Sequence, residues 1–202
     1  SNNSRRNFLQ KAGLAAASFY IVPRHVLGKG YTAPSDKLNI MGIGGGGKGY
    51  SDIMNSYNKG AENIVAIVDV DDRQIVRIKN DLPKANIYRD FRAALDKEGS
   101  NVDAVIVSTP DHTHATIAME AMRRKKHVYV QKPLTHDIYE ARLLGEKARE
   151  MQVVTQMGNQ GSSGEGVNLT TEWLVNGEIG EVTKVEAFTD RPIWPQGLNT
   201  PE

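Results

Sequence analysis

From Lys37 onward, short apolar runs rich in Val and Ile alternate with longer amphipathic stretches, and this alternation leaves few folds open. The runs are Leu38 to Ile43, Ile64 to Val68, a weaker Asn86 to Tyr88, Val102 to Val107, Val128 to Val130 and Val153 to Met157. Runs that are apolar at consecutive positions suit strands of a parallel sheet covered on both faces. Among the intervening stretches, Ile138, Ala141, Leu144, Ala148 and Met151 recur at helical spacing and put one apolar stripe against a sheet. Repeated strand and helix alternation needs right-handed crossovers, so the predicted fold class is α/β, a doubly wound parallel sheet.

The first run leads straight into the stretch GIGGGGKG. Gly42, Gly44 and Gly47 satisfy the spacing G-x-G-x-x-G, and Gly44, Gly46 and Gly49 satisfy it again, so two registers stay open. A strand before the motif, a helix predicted from about Ser51 and the acidic Asp69 after the second strand supply the context of a dinucleotide-binding Rossmann domain. Glycines let a backbone approach a pyrophosphate at a helix N-terminus, and a carboxylate at Asp69 accepts from ribose hydroxyls. Asp69 repels a 2'-phosphate, which favours NAD. Arg73, one turn later, weakens that preference and keeps NADP as the alternative.

Composition narrows the function classes. With 25 basic and 24 acidic residues the chain has no field to attract nucleic acid or an anionic membrane. The basic run Arg123 to Lys126 closes a predicted helix, where cations complement the dipole. The absence of cysteine excludes disulfides, thiolate chemistry and Cys-ligated zinc. His112 and His114 lack an accompanying ligand cluster, so no metal site is expected.

The N-terminal stretch SRRNFLQK followed by the apolar Ala12 to Val22 has the layout of an export signal too short to span a bilayer. The paired Arg5 and Arg6 ahead of Phe8 and Leu9 resemble the twin-arginine (Tat) signal, an address read by the Tat export machinery. This implies a periplasmic or otherwise exported protein, with Val26-Leu27-Gly28 as a candidate processing point and an uncleaved signal as the alternative. The expected organisation is a signal and linker over 1–33, a NAD-binding domain over 34–158, and over 159–202 the beginning of an α+β substrate domain, taken to be incomplete.

The fourth and fifth strands end in STPDHTHA and VYVQKPL, at the sheet edge where open α/β folds bind ligands. Together with the glycine loop, VDVD after the second strand and VTQMGNQGSSGEG, these motifs resemble the Gfo/Idh/MocA family of nicotinamide-dependent sugar and polyol enzymes. The resemblance implies that Lys132 stands beside the nicotinamide and the reacting hydroxyl as the catalytic and substrate-binding cation. It implies cofactor contacts for Ser108, Thr109, Pro110, His114 and Gln131, although a His114 that only orients its loop is an equal alternative. Asn159 and Trp194 are the further substrate candidates, Trp194 equally well a core residue. One departure stands out: the family pattern is Glu-Lys-Pro and here it is Gln131-Lys132-Pro133. An amide can hydrogen-bond a ribose but offers no charge to support Lys132.

The resemblance implies a homo-oligomer through the C-terminal domain. A cofactor carried through export would be held tightly and regenerated within the catalytic cycle. The expected function is therefore hydride transfer at a carbinol carbon of a sugar, polyol or glycoside. One alternative is NAD-dependent glycoside cleavage by oxidation, elimination, hydration and reduction. Another is a non-catalytic dinucleotide- or sugar-binding remnant.

Overall fold

The computed structural model describes residues 36–188. Six strands, β1 (Asn39–Ile43), β2 (Asn63–Val68), β3 (Asn86–Tyr88), β4 (Ala104–Val107), β5 (His127–Gln131) and β6 (Thr155–Gly158), form one sheet of order β3-β2-β1-β4-β5-β6. Every pair in it is parallel. The helices α1 (Gly47–Tyr57), α2 (Asp72–Asp81), α3 (Phe91–Glu98), α4 (His114–Arg123) and α5 (Ile138–Met151) lie between the strands in sequence. This is the doubly wound α/β class that the alternation predicts.

The runs are apolar throughout because both faces of each central strand are buried. Met41 and Ile43, Ala66 and Val68, and Val105 and Val107 enter one core cluster, whereas Ile40, Ile67 and Ile106 enter the other. Successive side chains on a strand point to opposite faces, so one run supplies both cores.

Helix starts follow local chemistry. Asp71, Asp90 and Asp137 cap α2, α3 and α5 by accepting from the backbone N–H of Arg73, Arg92 and Glu140. Such caps satisfy N–H groups that have no partner inside the helix. In contrast, α1 opens on Gly46 with no side-chain cap.

Two expectations change. In α5 Leu144 is buried and Ala148 packs against the same core, but Ile138 is 73% exposed, so the apolar stripe does not reach into the first turn. The alternating hydrophobicity of Val182 to Phe188 predicts a strand, but the segment pairs with no strand among the described residues, and Val185 and Phe188 are exposed. Alternating hydrophobicity makes a strand only where a neighbour completes its ladder.

The chain divides into two compact units between Gly158 and Asn159. The second contains α6 (Glu165–Val175), which buries none of its residues. It ends at Gly177, where the backbone turns left-handed and Glu178 N–H donates to the Trp173 carbonyl at 2.9 Å. The twin-arginine segment, the proposed processing point and Trp194 lie outside the described residues.

Candidate functional site

The first glycine turn leaves the carboxyl end of β1 and is anchored by Gly44 N–H, which donates to the Val68 carbonyl at 2.8 Å. Gly44 has φ +91°, and a Cβ there would come 2.5 Å from the Ser108 carbonyl oxygen. A Cβ at Gly49 would meet the Gly44 carbonyl oxygen at 2.0 Å, so only glycine lets α1 pass this close to the turn. Gly44, Gly46 and Gly49 therefore set the motif register, with Gly46 as the N-cap of α1. Gly42, the first glycine of the other register, lies inside β1, where its Cα faces Ile53. Gly47 is the first residue of α1.

Asp69, just past β2, is half-buried and braces this turn. One carboxylate oxygen accepts from Gly45 N–H at 2.7 Å and the other from Asp71 N–H at 2.9 Å. The Arg73 guanidinium is paired with Asp71, Nε and Nη2 donating at 2.8–3.1 Å, and its side chain is exposed. The Arg73 hydrogen bonds hold the Asp71 carboxyl at about 2, well below its ordinary value.

Two more loops leave the same edge. Ser108 N–H donates to the Ile43 carbonyl at 2.9 Å, and Thr109 Oγ1 accepts from Thr113 Oγ1 at 2.7 Å. His114, 1% exposed, opens α4 with Nδ1 2.6 Å from the Pro133 carbonyl and Nε2 2.8 Å from the Thr109 carbonyl. Whichever nitrogen carries hydrogen ties α4 to one of the two loops. Both ring nitrogens thus meet backbone carbonyls, an arrangement that fits the loop-orienting alternative. Gln131 ends β5, and its amide is also committed: Nε2 donates to Asp52 Oδ2 at 2.6 Å within the buried interior. The resemblance implies a ribose hydroxyl for this amide, and in this structure its donor is turned to Asp52. Lys132 follows directly and is exposed.

A cleft of about 920 Å³ opens at this edge. It brings together Gly44, Gly46, Asp69, Ser108, Thr109 and Pro110, with Arg89, Phe91 and Arg92 from the β3 to α3 segment, which sequence reasoning missed. Gly42, Gly47, Arg73, His114, Gln131 and Lys132 do not line it. Asn159 belongs to the second unit, where its Nδ2 donates to Ser162 Oγ at 3.0 Å. Asp52 was also missed; its signal was the spacing Gly49, Asp52, Ile53, which places an acidic residue on the buried face of α1.

The residues fit a dinucleotide. The uncapped start of α1 presents backbone N–H groups and the positive end of its dipole to an anion. The glycine turn leaves no side chain in the way, and Asp69 at the cleft offers a carboxylate to hydroxyls.

Comparison with known proteins agrees. The family model described as an oxidoreductase family with an NAD-binding Rossmann fold, GFO_IDH_MocA, matches residues 37–159. A glycosyl hydrolase family 109 protein of Shewanella baltica (strain OS195) is 29% identical, over 92% of this chain and 46% of that relative. The chain thus spans about half the length of the curated relatives it matches. Among solved structures, an NAD binding oxidoreductase from Klebsiella pneumoniae is 29% identical with a TM-score of 0.56, covering 72% of this chain and 40% of that one. The scyllo-inositol dehydrogenase of Lactobacillus casei, solved with NAD(H) and scyllo-inositol, shares the fold at 21% identity and a TM-score of 0.64, covering 73% and 43%. With a glycine turn, an acidic β2 end and two loops meeting at one sheet edge, and a family match across them, the chain belongs to the Gfo/Idh/MocA oxidoreductase family through its NAD-binding Rossmann domain.

Proposed function

We propose that the whole protein transfers hydride at a carbinol carbon of a sugar, polyol or glycoside, with NAD held tightly in the cleft. The observation that carries this reading is the convergence of the Gly44 turn, Asp69 and the Thr109 loop on one cleft, with the exposed Lys132 directly after the neighbouring strand β5. NAD supplies the hydride acceptor when bound. The turn and Asp69 hold and orient it, and Asp69 favours NAD over NADP by repelling a 2'-phosphate. Lys132 holds the substrate hydroxyl and stabilises alkoxide character on its oxygen, an electrostatic role with the weight of an oxyanion donor.

A second reading is favoured by the family 109 glycosyl hydrolases among the relatives: oxidation, elimination, hydration and reduction that cleave a glycoside without net NADH. The full-length protein, incubated with free sugars and with chromogenic glycosides, separates the two. Net NADH from a free sugar supports the first, and aglycone release without net NADH supports the second. Retained NADH binding with no turnover on either panel supports the non-catalytic alternative. Lys132→Met is expected to lower kcat about a hundredfold or more while NADH still binds.

Arg5 and Arg6 support export through the Tat machinery to the periplasm. Their replacement by a lysine pair would leave the protein in the cytoplasmic fraction. Assembly into a homo-oligomer through the region after residue 158 completes the proposal, and sedimentation of the full-length protein tests it.

A further inference from the structure

Asp52 lies one turn inside α1 and is 7% exposed, although it carries a carboxylate. Donors reach it from three elements. Lys48, one turn earlier on α1, pairs with Oδ1. Ser108 Oγ, after β4, donates to Oδ2 at 2.8 Å, and Gln131 Nε2, at the end of β5, donates to the same oxygen at 2.6 Å. Gln131 is 5% exposed, and its Oε1 accepts from Lys132 N–H at 3.3 Å. Gly158 on β6 passes close by, since a Cβ there would come 3.0 Å from Gln131 Nε2, so a side chain at 158 would crowd the amide.

A buried carboxylate is tolerated only when donors surround it. An amide at residue 131 supplies a donor without adding charge. A glutamate there would set two carboxylates in contact, and the ionisation of one would have to be suppressed. The residue type at 131 is therefore dictated by the charge at 52, across a separation of 79 residues.

We propose that Asp52 and Gln131 form a matched positioning pair that fixes the end of β5, and with it Lys132, against α1 and the glycine turn. Neither residue touches the cleft. Gln131 acts through the Lys132 backbone, and Asp52 acts through Gln131 and through Ser108, which does line the cleft. The proposal rests on the reading of Lys132 and the cleft given above.

The test is a charge-swap cycle in the full chain: Asp52→Asn, Gln131→Glu and the double variant, each followed by thermal melting and by NADH fluorescence titration. Each single change is expected to lower Tm by about 5–10 °C and to weaken NADH binding about tenfold. The double variant should recover most of both losses, because the amide placed on α1 then donates to the carboxylate placed at the end of β5, the original bond with its polarity reversed. A further signature is pH. Among the described residues, the titratable and charged groups bonded to the pair are Lys48 on α1 and Tyr129 on β5; the loop after β4 contributes the Ser108 hydroxyl, and Lys132 reaches Gln131 through its backbone N–H. A carboxyl forced against Asp52 has its folded pKa raised, so the stability of Gln131→Glu is fully present below the unfolded value and lost as pH rises. Its Tm deficit should therefore shrink from about pH 8 to about pH 5, and the double variant should show less relief.

Additive losses in the cycle, or a Gln131→Glu deficit that ignores pH, would overturn the pairing. Coupled Tm values with unchanged NADH affinity would overturn the positioning role. If Gln131→Glu does not fold, recovery of a cooperatively melting double variant supports the pair and its failure to recover overturns it. A wild-type protein that fails to bind NADH would sink the cofactor reading and the positioning role with it, while the melting cycle still decides whether the two side chains are matched.

Discussion

Gly49 decides how closely a helix can pass a strand. Its hydrogen stands where a methyl group would meet the Gly44 carbonyl at 2.0 Å, a backbone atom that cannot step aside. Gly49→Ala is expected to displace the start of α1, lowering Tm and weakening NADH binding at least about tenfold, since a misplaced binding element loses oriented contacts. Gly44→Ala combines a close backbone contact with a left-handed φ, a conformation that costs an L side chain about 1 kcal/mol or more before the contact is counted. Its NADH titration should be at least as impaired as that of Gly49→Ala. Asp69→Ala removes the acceptor of both Gly45 and Asp71 N–H. Loss of NADH affinity together with a narrowed gap between NADH and NADPH is the expected result, and an unchanged NADH to NADPH ratio would remove Asp69 from cofactor selection.

At the scale of elements, the caps carry predictions of their own. Asp137→Ala leaves Glu140 N–H without its acceptor at the start of α5 and is expected to cost about 1 kcal/mol in denaturant unfolding. Asp71 caps α2 with its carboxyl held at about 2 by Arg73, below the unfolded value. A depressed folded pKa contributes stability above the unfolded pKa and loses it as pH falls toward the folded one. The Tm difference between wild type and Asp71→Asn should therefore be largest above about pH 5 and fade toward pH 2. The six apolar runs and the motif order were legible in the sequence because strand faces and glycine spacing are local properties. The glycine register was not, because it depends on what a Cβ at Gly44 or Gly49 would strike in a distant loop. Nor does the sequence reveal the Gln131–Asp52 bond, because the fold alone brings together residues 79 apart. The strand expected at Val182 to Phe188 shows the limit of pattern reading, since alternation reports a wish for a neighbour and not its presence.

In the molecule as a whole, burial is uneven. Met41, Ala66, Ile67, Val105 and Val107 in β1, β2 and β4 are essentially closed to solvent, whereas α6 in the second unit buries nothing. Hydrogen exchange should be slowest at the amides of β1 and β4, because protection tracks buried structure, and rapid exchange at Met41 or Val105 would contradict their burial. The position of β1 carries one more consequence, in time. Its second neighbour is β4, and the Asn39 amide that meets Asp103 reaches across 64 residues. Since every ladder is parallel, no strand pair of this sheet can close through a tight hairpin, and the central strand stays half-paired until the chain has been made past residue 107. During synthesis the apolar flank of β1 is therefore the surface longest without a partner, and the chain's vulnerability to aggregation belongs to that interval.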